Sequence, residues 1–146
     1  VGGGVEEAHL RQLVSALGLE DSVRFAGIRA DMPAVYRAAD LVVLPSIYGE
    51  NLPTVLIEAG ACGRAVVTTR VGGIPDIVVD GRTGGLVDPG DPVALADQVI
   101  RVLTDHDLRK QQEANAAAHI RDEFASEAWV KRLRHTYEAA IAAKRS

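Results

Sequence analysis

Through the first ninety residues the chain alternates short unbroken apolar runs with longer stretches in which apolar residues recur at helical spacing. Leu41-Val42-Val43-Leu44 has no polar interruption, and Arg64-Ala65-Val66-Val67-Thr68-Thr69 carries a second such run. Runs of this kind suit strands of a parallel sheet that are buried on both faces. A third, shorter strand is predicted at Val23-Arg24-Phe25, with Ala26-Gly27-Ile28-Arg29 as its exit, and a fourth at Leu86-Val87, after the turn residues Asp80 to Gly85. Val1 reads as the last residue of a strand and Gly2-Gly3-Gly4 as the turn after it. Helices are predicted over Glu6 to Leu17, stopped by Gly18; after Asp31 and Pro33, through Tyr36 and Arg37; from Pro53 to near Cys62-Gly63; and, briefly, at Pro75. Beyond Asp91-Pro92 the pattern is wholly helical, with segments to Leu103, over Leu108 to Ile120, and from Ser126 to Ala143.

Strands alternating with helices imply a doubly wound, Rossmann-like α/β fold, with a parallel sheet, right-handed crossovers and helices on both faces. Ligands of such sheets bind outside the carboxyl ends of the strands, so the βα turns are where chemistry is sought. The turn from Ser46 into the helix after Pro53 is the richest in polar groups. Proline is compatible with the first helical turn because its missing N–H would have been unpaired there, and the neighbouring free N–H groups form an anion site. Glu50 lies in the loop before this helix and Glu58 inside it. A carboxylate early in a helix also interacts favourably with the dipole, so residue type alone leaves both a structural and a ligand-binding role open for Glu58. The same holds for Gly49, Gly72 and Gly73, which either meet turn geometry or admit a ligand to the backbone. Arg29 and Arg70 stand at strand exits, as phosphate ligands or as ordinary salt bridges.

Composition narrows the function classes. The chain has 146 residues, 47% of them hydrophobic and 25% charged, which is the profile of one globular domain. A net charge of −4 argues against a broad basic face for nucleic acid. Cys62 is the only cysteine, so no intrachain disulfide forms and a cytoplasmic setting is expected. No apolar run reaches membrane-spanning length. The four histidines lack metal-ligand spacing, and no metal or cofactor is expected. Glu7 stands where a dinucleotide fingerprint starting at Gly2 would need its third glycine, which favours a plain turn there. The start at Val1-Gly2-Gly3-Gly4, without Met, is read as that of a fragment.

Glu50 and Glu58 are separated by seven residues and followed by Ala59 to Gly63. With Val23-x-Phe25-x-Gly27, Ala39-Asp40-Leu41 through Ser46, Gly72-Gly73-x-Pro75-Asp76 and Asp80-Gly81-x-Thr83-Gly84-Gly85, this ordered series resembles the retaining glycosyltransferases of family 4, also called group 1. The resemblance covers most of the chain and implies the C-terminal, donor-binding half of a two-domain GT-B enzyme, with residues 1–146 as a partial nucleotide-sugar-binding domain. The domain's first strand and helix, its basic diphosphate clamp and the whole N-terminal acceptor domain are then expected to lie outside it.

The resemblance implies that Glu58 holds the ribose hydroxyls of a nucleotide-diphosphate sugar and that Glu50 acts at the donor sugar as the catalytic carboxylate. Gly49, Asn51 and Leu52 would lie near the diphosphate or sugar, and Ile28 and Arg29 would border the base. Transfer of a hexosyl or related sugar to a sugar, lipid-linked or other small acceptor, with retention and without metal, is implied for the parent protein. The parent is expected in the cytoplasm, with peripheral attachment at the inner membrane face as an option, and the fragment alone is expected to be inactive. Asp76 stands where the family more often has Glu. Two other readings stay open: a non-catalytic nucleotide-binding or regulatory module of the same fold, and a nucleotide-sugar epimerase relative.

Overall fold

A computed structural model describes residues 1–145. The chain divides into two compact units, Val1–Met32 and Pro33–Ser146.

The first unit is built on helix α1, Glu7–Ala16. Arg11 reaches back one turn to Glu7 at 2.7 Å and lies over the Phe25 ring, 4.3 Å from its centroid. The helix stops at Gly18, whose φ of +64° lies in the left-handed region that glycine enters without a Cβ penalty. Gly18 N–H then donates to Ser15 O, and Leu19 N–H to Val14 O, each at 3.0 Å, which closes the helix end as a Schellman motif. The strands expected at Val1 and at Val23-Arg24-Phe25 are not formed. Gly2 N–H donates to Gly27 O at 2.7 Å. That single tie is not a ladder, and an apolar sequence becomes a strand only with a partner along its length.

In the second unit the elements are α2 (Met32–Ala38, of which Met32 falls in the first unit), β1 (Val42–Leu44), α3 (Thr54–Ala61), β2 (Val66–Thr69) and α4 (Ile74–Ile77). They are followed by β3 (Gly85–Val87), α5 (Pro92–Thr104), α6 (His106–Phe124) and α7 (Ser126–Arg145). The three strands form a parallel sheet in the order β1-β2-β3, with Leu44 opposite Thr68 and Thr69 opposite Val87. All four residues of β2 are buried, as the unbroken apolar run requires of a central strand.

Helix α5 packs on β2 and β3, where Ala65 and Val67 meet Val102 with Leu41, Leu95, Val99 and Leu108 around them. Helix α3 packs on β1, β2 and α6. The approach of α3 to α6 depends on Gly60: a Cβ there would stand 2.6 Å from Ile120 Cγ1. Asp91 and Asp105 cap α5 and α6 by accepting hydrogen bonds from Ala94 N–H and Leu108 N–H, each at 2.9 Å. The Asp105 cap explains why α6 starts two residues before the sequence reading.

Candidate functional site

The site grows from the carboxyl edge of the sheet. Each parallel strand ends there with carbonyl groups that the ladder does not use, and β2 carries two hydroxyls to meet them. Thr68 Oγ1 donates to Leu44 O at 2.7 Å, and Thr69 Oγ1 donates to Ser46 O. Both threonines are buried, so the exit of β1 is fastened to the end of β2 by bonds sheltered from water.

From this fixed exit the chain passes through Gly49, at φ +81°, to Glu50. Glu50 is half-buried and is held at both its side chain and its backbone. Ser46 Oγ donates to Glu50 Oε1 at 2.6 Å, and Gly73 N–H donates to Glu50 O at 3.0 Å. The Gly72-Gly73 turn that follows β2 therefore touches protein backbone. A Cβ on Gly72 would lie 1.7 Å from Glu50 O, and one on Gly73 1.9 Å from Asn51 O. Gly72, at φ +52°, meets the turn geometry, and what both glycines admit is the protein's own backbone, that of the loop carrying Glu50.

Asn51 and Leu52 are exposed and lead to Pro53, which is the N-cap of α3 and lies outside the helix that it was expected to open. Its φ of −67° and ψ of 106° are extended, and it has no side-chain acceptor for the first N–H groups of the helix. Leu56 N–H donates to Pro53 O at 3.1 Å, and the donors ahead of it, at the positive end of α3, suit an anion. Glu58, on the second turn of α3, is exposed, yet its carboxylate is tethered: Tyr36 Oη on α2 donates to Glu58 Oε2 at 2.9 Å. Tyr36 is 4% exposed. Burial, followed by the bond to the Glu58 carboxylate and its charge, pushes the phenol up to about 12.

The turn thus brings Gly49, Glu50, Asn51, Leu52 and Glu58 onto one loop and helix, with Gly72 and Gly73 docked on the loop. Ile28 and Arg29 belong to the first unit. Ile28 is 88% exposed. Arg29 is already engaged: its Nε and Nη2 donate to the two carboxylate oxygens of Asp31 at 2.8 and 2.6 Å. That fork holds the Asp31 carboxyl below its usual range. Arg70 pairs with Asp80, which also accepts from Leu86 N–H at 3.0 Å. Asp76 is exposed on α4. Among the described residues no group of three or more His, Cys, Asp or Glu is placed to hold a metal ion.

Sequence reading did not find Ser46, Thr68, Thr69 or Tyr36. In sequence the two threonines stand only as the end of the second apolar run and Tyr36 only as a member of the helix after Pro33. Ser46 finds its acceptor Glu50 only four residues on, but the acceptors of Tyr36, Thr69 and Thr68 lie 22 to 24 residues away along the chain.

Residues 1–119 match the family model described as Glycosyl transferases group 1. A D-inositol 3-phosphate glycosyltransferase of Salinispora tropica is 43% identical over 148 aligned positions, which cover 99% of this chain and 30% of the relative. The chain thus spans about a third of the length of the curated relatives it matches. Anabaena HepE, determined in complex with UDP, superposes with a TM-score of 0.85 at 32% identity, covering 90% of this chain and 36% of that one. Another structure of HepE is in complex with UDP-glucose. Sucrose-phosphate synthase of Thermosynechococcus elongatus gives a TM-score of 0.82 at 36% identity, covering 96% and 35%.

Proposed function

Since the chain belongs to the group 1 glycosyl transferases, a family of GT-B fold, we propose that it forms the donor-binding part of a glycosyltransferase that moves a hexosyl or related sugar from a nucleotide-diphosphate sugar to a small acceptor. The observation that carries this reading is the pair Glu50 and Glu58, set on one strand-to-helix turn at the carboxyl edge of a parallel sheet and each fixed by a hydroxyl donor. Carboxylates accept hydrogen bonds from hydroxyls, which are the groups a ribose and a sugar present in number.

In this reading Glu58 accepts from the ribose hydroxyls, and Glu50 faces the transferred sugar as the catalytic carboxylate. The free N–H groups at the start of α3, with Gly49, Asn51 and Leu52 beside them, take the diphosphate or sugar. The binding of UDP and UDP-glucose by HepE supports a nucleotide-sugar donor of the same class. Helix dipole and backbone donors stabilise the leaving diphosphate where other transferases use a metal; transfer without a metal and with retention of configuration is what the resemblance to the retaining group 1 enzymes implies. The acceptor is met by an N-terminal domain of the parent protein, which acts in the cytoplasm.

The test uses the full-length protein that carries these residues. It is assayed with UDP-, GDP- and ADP-sugars, with and without chelator, and the product anomer is read by NMR. Chelator-insensitive transfer with the donor's anomeric configuration retained is expected. Failure to bind any nucleotide sugar would overturn the reading.

A further inference from the structure

Glu58 sits on the exposed face of α3, where a free glutamate would sample several rotamers and spend little time aimed at any one ligand atom. It is not free. Its Oε2 accepts a 2.9 Å bond from Tyr36, which is 22 residues earlier and on a different helix. Tyr36 is the residue with the least freedom to move in that pair, because its side chain is almost wholly buried while its hydroxyl reaches the carboxylate. One carboxylate oxygen is consequently fixed by protein, and the other keeps its acceptor capacity for a ligand.

Resting on the proposed ribose role of Glu58, we infer that Tyr36 is a positioning residue for the nucleotide site: its hydroxyl preorganises the Glu58 carboxylate so that Oε1 is presented to the vicinal hydroxyls of the ribose. The chemistry suits the task. A phenol beside a carboxylate is the donor of the pair, so the bond has one polarity and one geometry. Burial and the negative charge keep the phenol protonated up to about 12, so the donor is not lost at neutral pH. Phenylalanine would fill the same buried volume, which makes the hydroxyl separable from the ring.

The experiment measures the affinity of the full-length protein for whichever of UDP, GDP and ADP binds it most tightly, by calorimetry, in wild type, Tyr36→Phe, Glu58→Ala and the double variant. Melting temperatures are recorded alongside to confirm that each folds. Tyr36→Phe is expected to weaken binding about five- to tenfold, and Glu58→Ala about tenfold or more. The double variant is expected to bind no worse than Glu58→Ala alone, because the hydroxyl then has nothing to position. A Tyr36→Phe variant that melts lower but binds with wild-type affinity would make the bond a tie between α2 and α3 only and overturn the inference. An equal penalty from Tyr36→Phe in the Glu58→Ala background would also overturn it. Wild-type affinity in Glu58→Ala would instead remove the ribose role itself, and with it the function assigned to Tyr36.

Discussion

The α-carbon of Gly72 lies against the carbonyl oxygen of Glu50 so closely that a methyl group there would stand 1.7 Å from that oxygen. Gly72 also has a φ of +52°, where a side chain is strained whatever the space. The turn after β2 is in this way the mould for the loop after β1, and the position of Glu50 depends on two glycines distant in sequence. Gly72→Ala is expected to destabilise the protein by about 2–5 kcal/mol, combining left-handed strain with overpacking against backbone that cannot move aside. Denaturant titration reads the loss, and transfer activity is expected to fall with it because the Glu50 loop must shift.

Ser46 holds the side chain of Glu50 as Gly73 holds its backbone. Ser46→Ala is expected to reduce turnover about tenfold or more, as removal of one hydrogen bond to a charged group permits, while nucleotide affinity stays near wild type. Steady-state kinetics together with calorimetry on the free nucleotide separates the two. A matched loss in both would contradict the assignment of Glu50 to the sugar side.

The sheet edge was legible in the sequence because its strands are unbroken apolar runs and its turns are marked by Pro45-Ser46 and Gly72-Gly73. The helices beyond Asp91 were equally plain, down to the capping aspartate of α5. What was not legible is what the turns touch. Gly72 offers no hint in sequence that its neighbour is Glu50 O, and Tyr36 none that its hydroxyl ends on Glu58. The first contact exists only once parallel strands have brought the turns after β1 and β2 together, and the second only once α2 and α3 are neighbours. The strands expected at Val1 and Val23 failed for a related reason, since apolar pattern marks a candidate strand and pairing decides it.

Tyr36 links this geometry to pH. A tyrosine in the unfolded chain ionises near about 10. In the folded protein Tyr36 holds its proton to about 12. Between these values the unfolded chain has lost a proton that the folded one keeps, so the contribution to stability is complete below the lower value and falls as pH rises toward the upper one. Denaturation midpoints are expected to drop between about pH 10 and pH 12 more steeply in wild type than in Tyr36→Phe. Parallel pH profiles for the two proteins would contradict the shift.

Packing of α3 on α6 offers a test of the fold independent of the site. Gly60→Ala places its methyl 2.6 Å from Ile120 Cγ1, and because that neighbour is a side chain, the expected cost is about 1–3 kcal/mol. Ile120→Ala opens space at the same point. The double variant is expected to lose less stability than the sum of the two single variants, with a coupling of about 0.5 kcal/mol or more.

In the proposed function the strand-to-helix turn from Ser46 to Glu58 holds a nucleotide-diphosphate sugar through its two carboxylates. Calorimetric titration of the full-length protein with nucleotide sugar, in wild type and Glu58→Ala, tests it most directly. A hydrogen bond to a charged group contributes about 1.5–3 kcal/mol, so the variant is expected to bind roughly tenfold to over a hundredfold more weakly while melting near the wild-type temperature. Equal affinity in the two folded proteins would contradict the account.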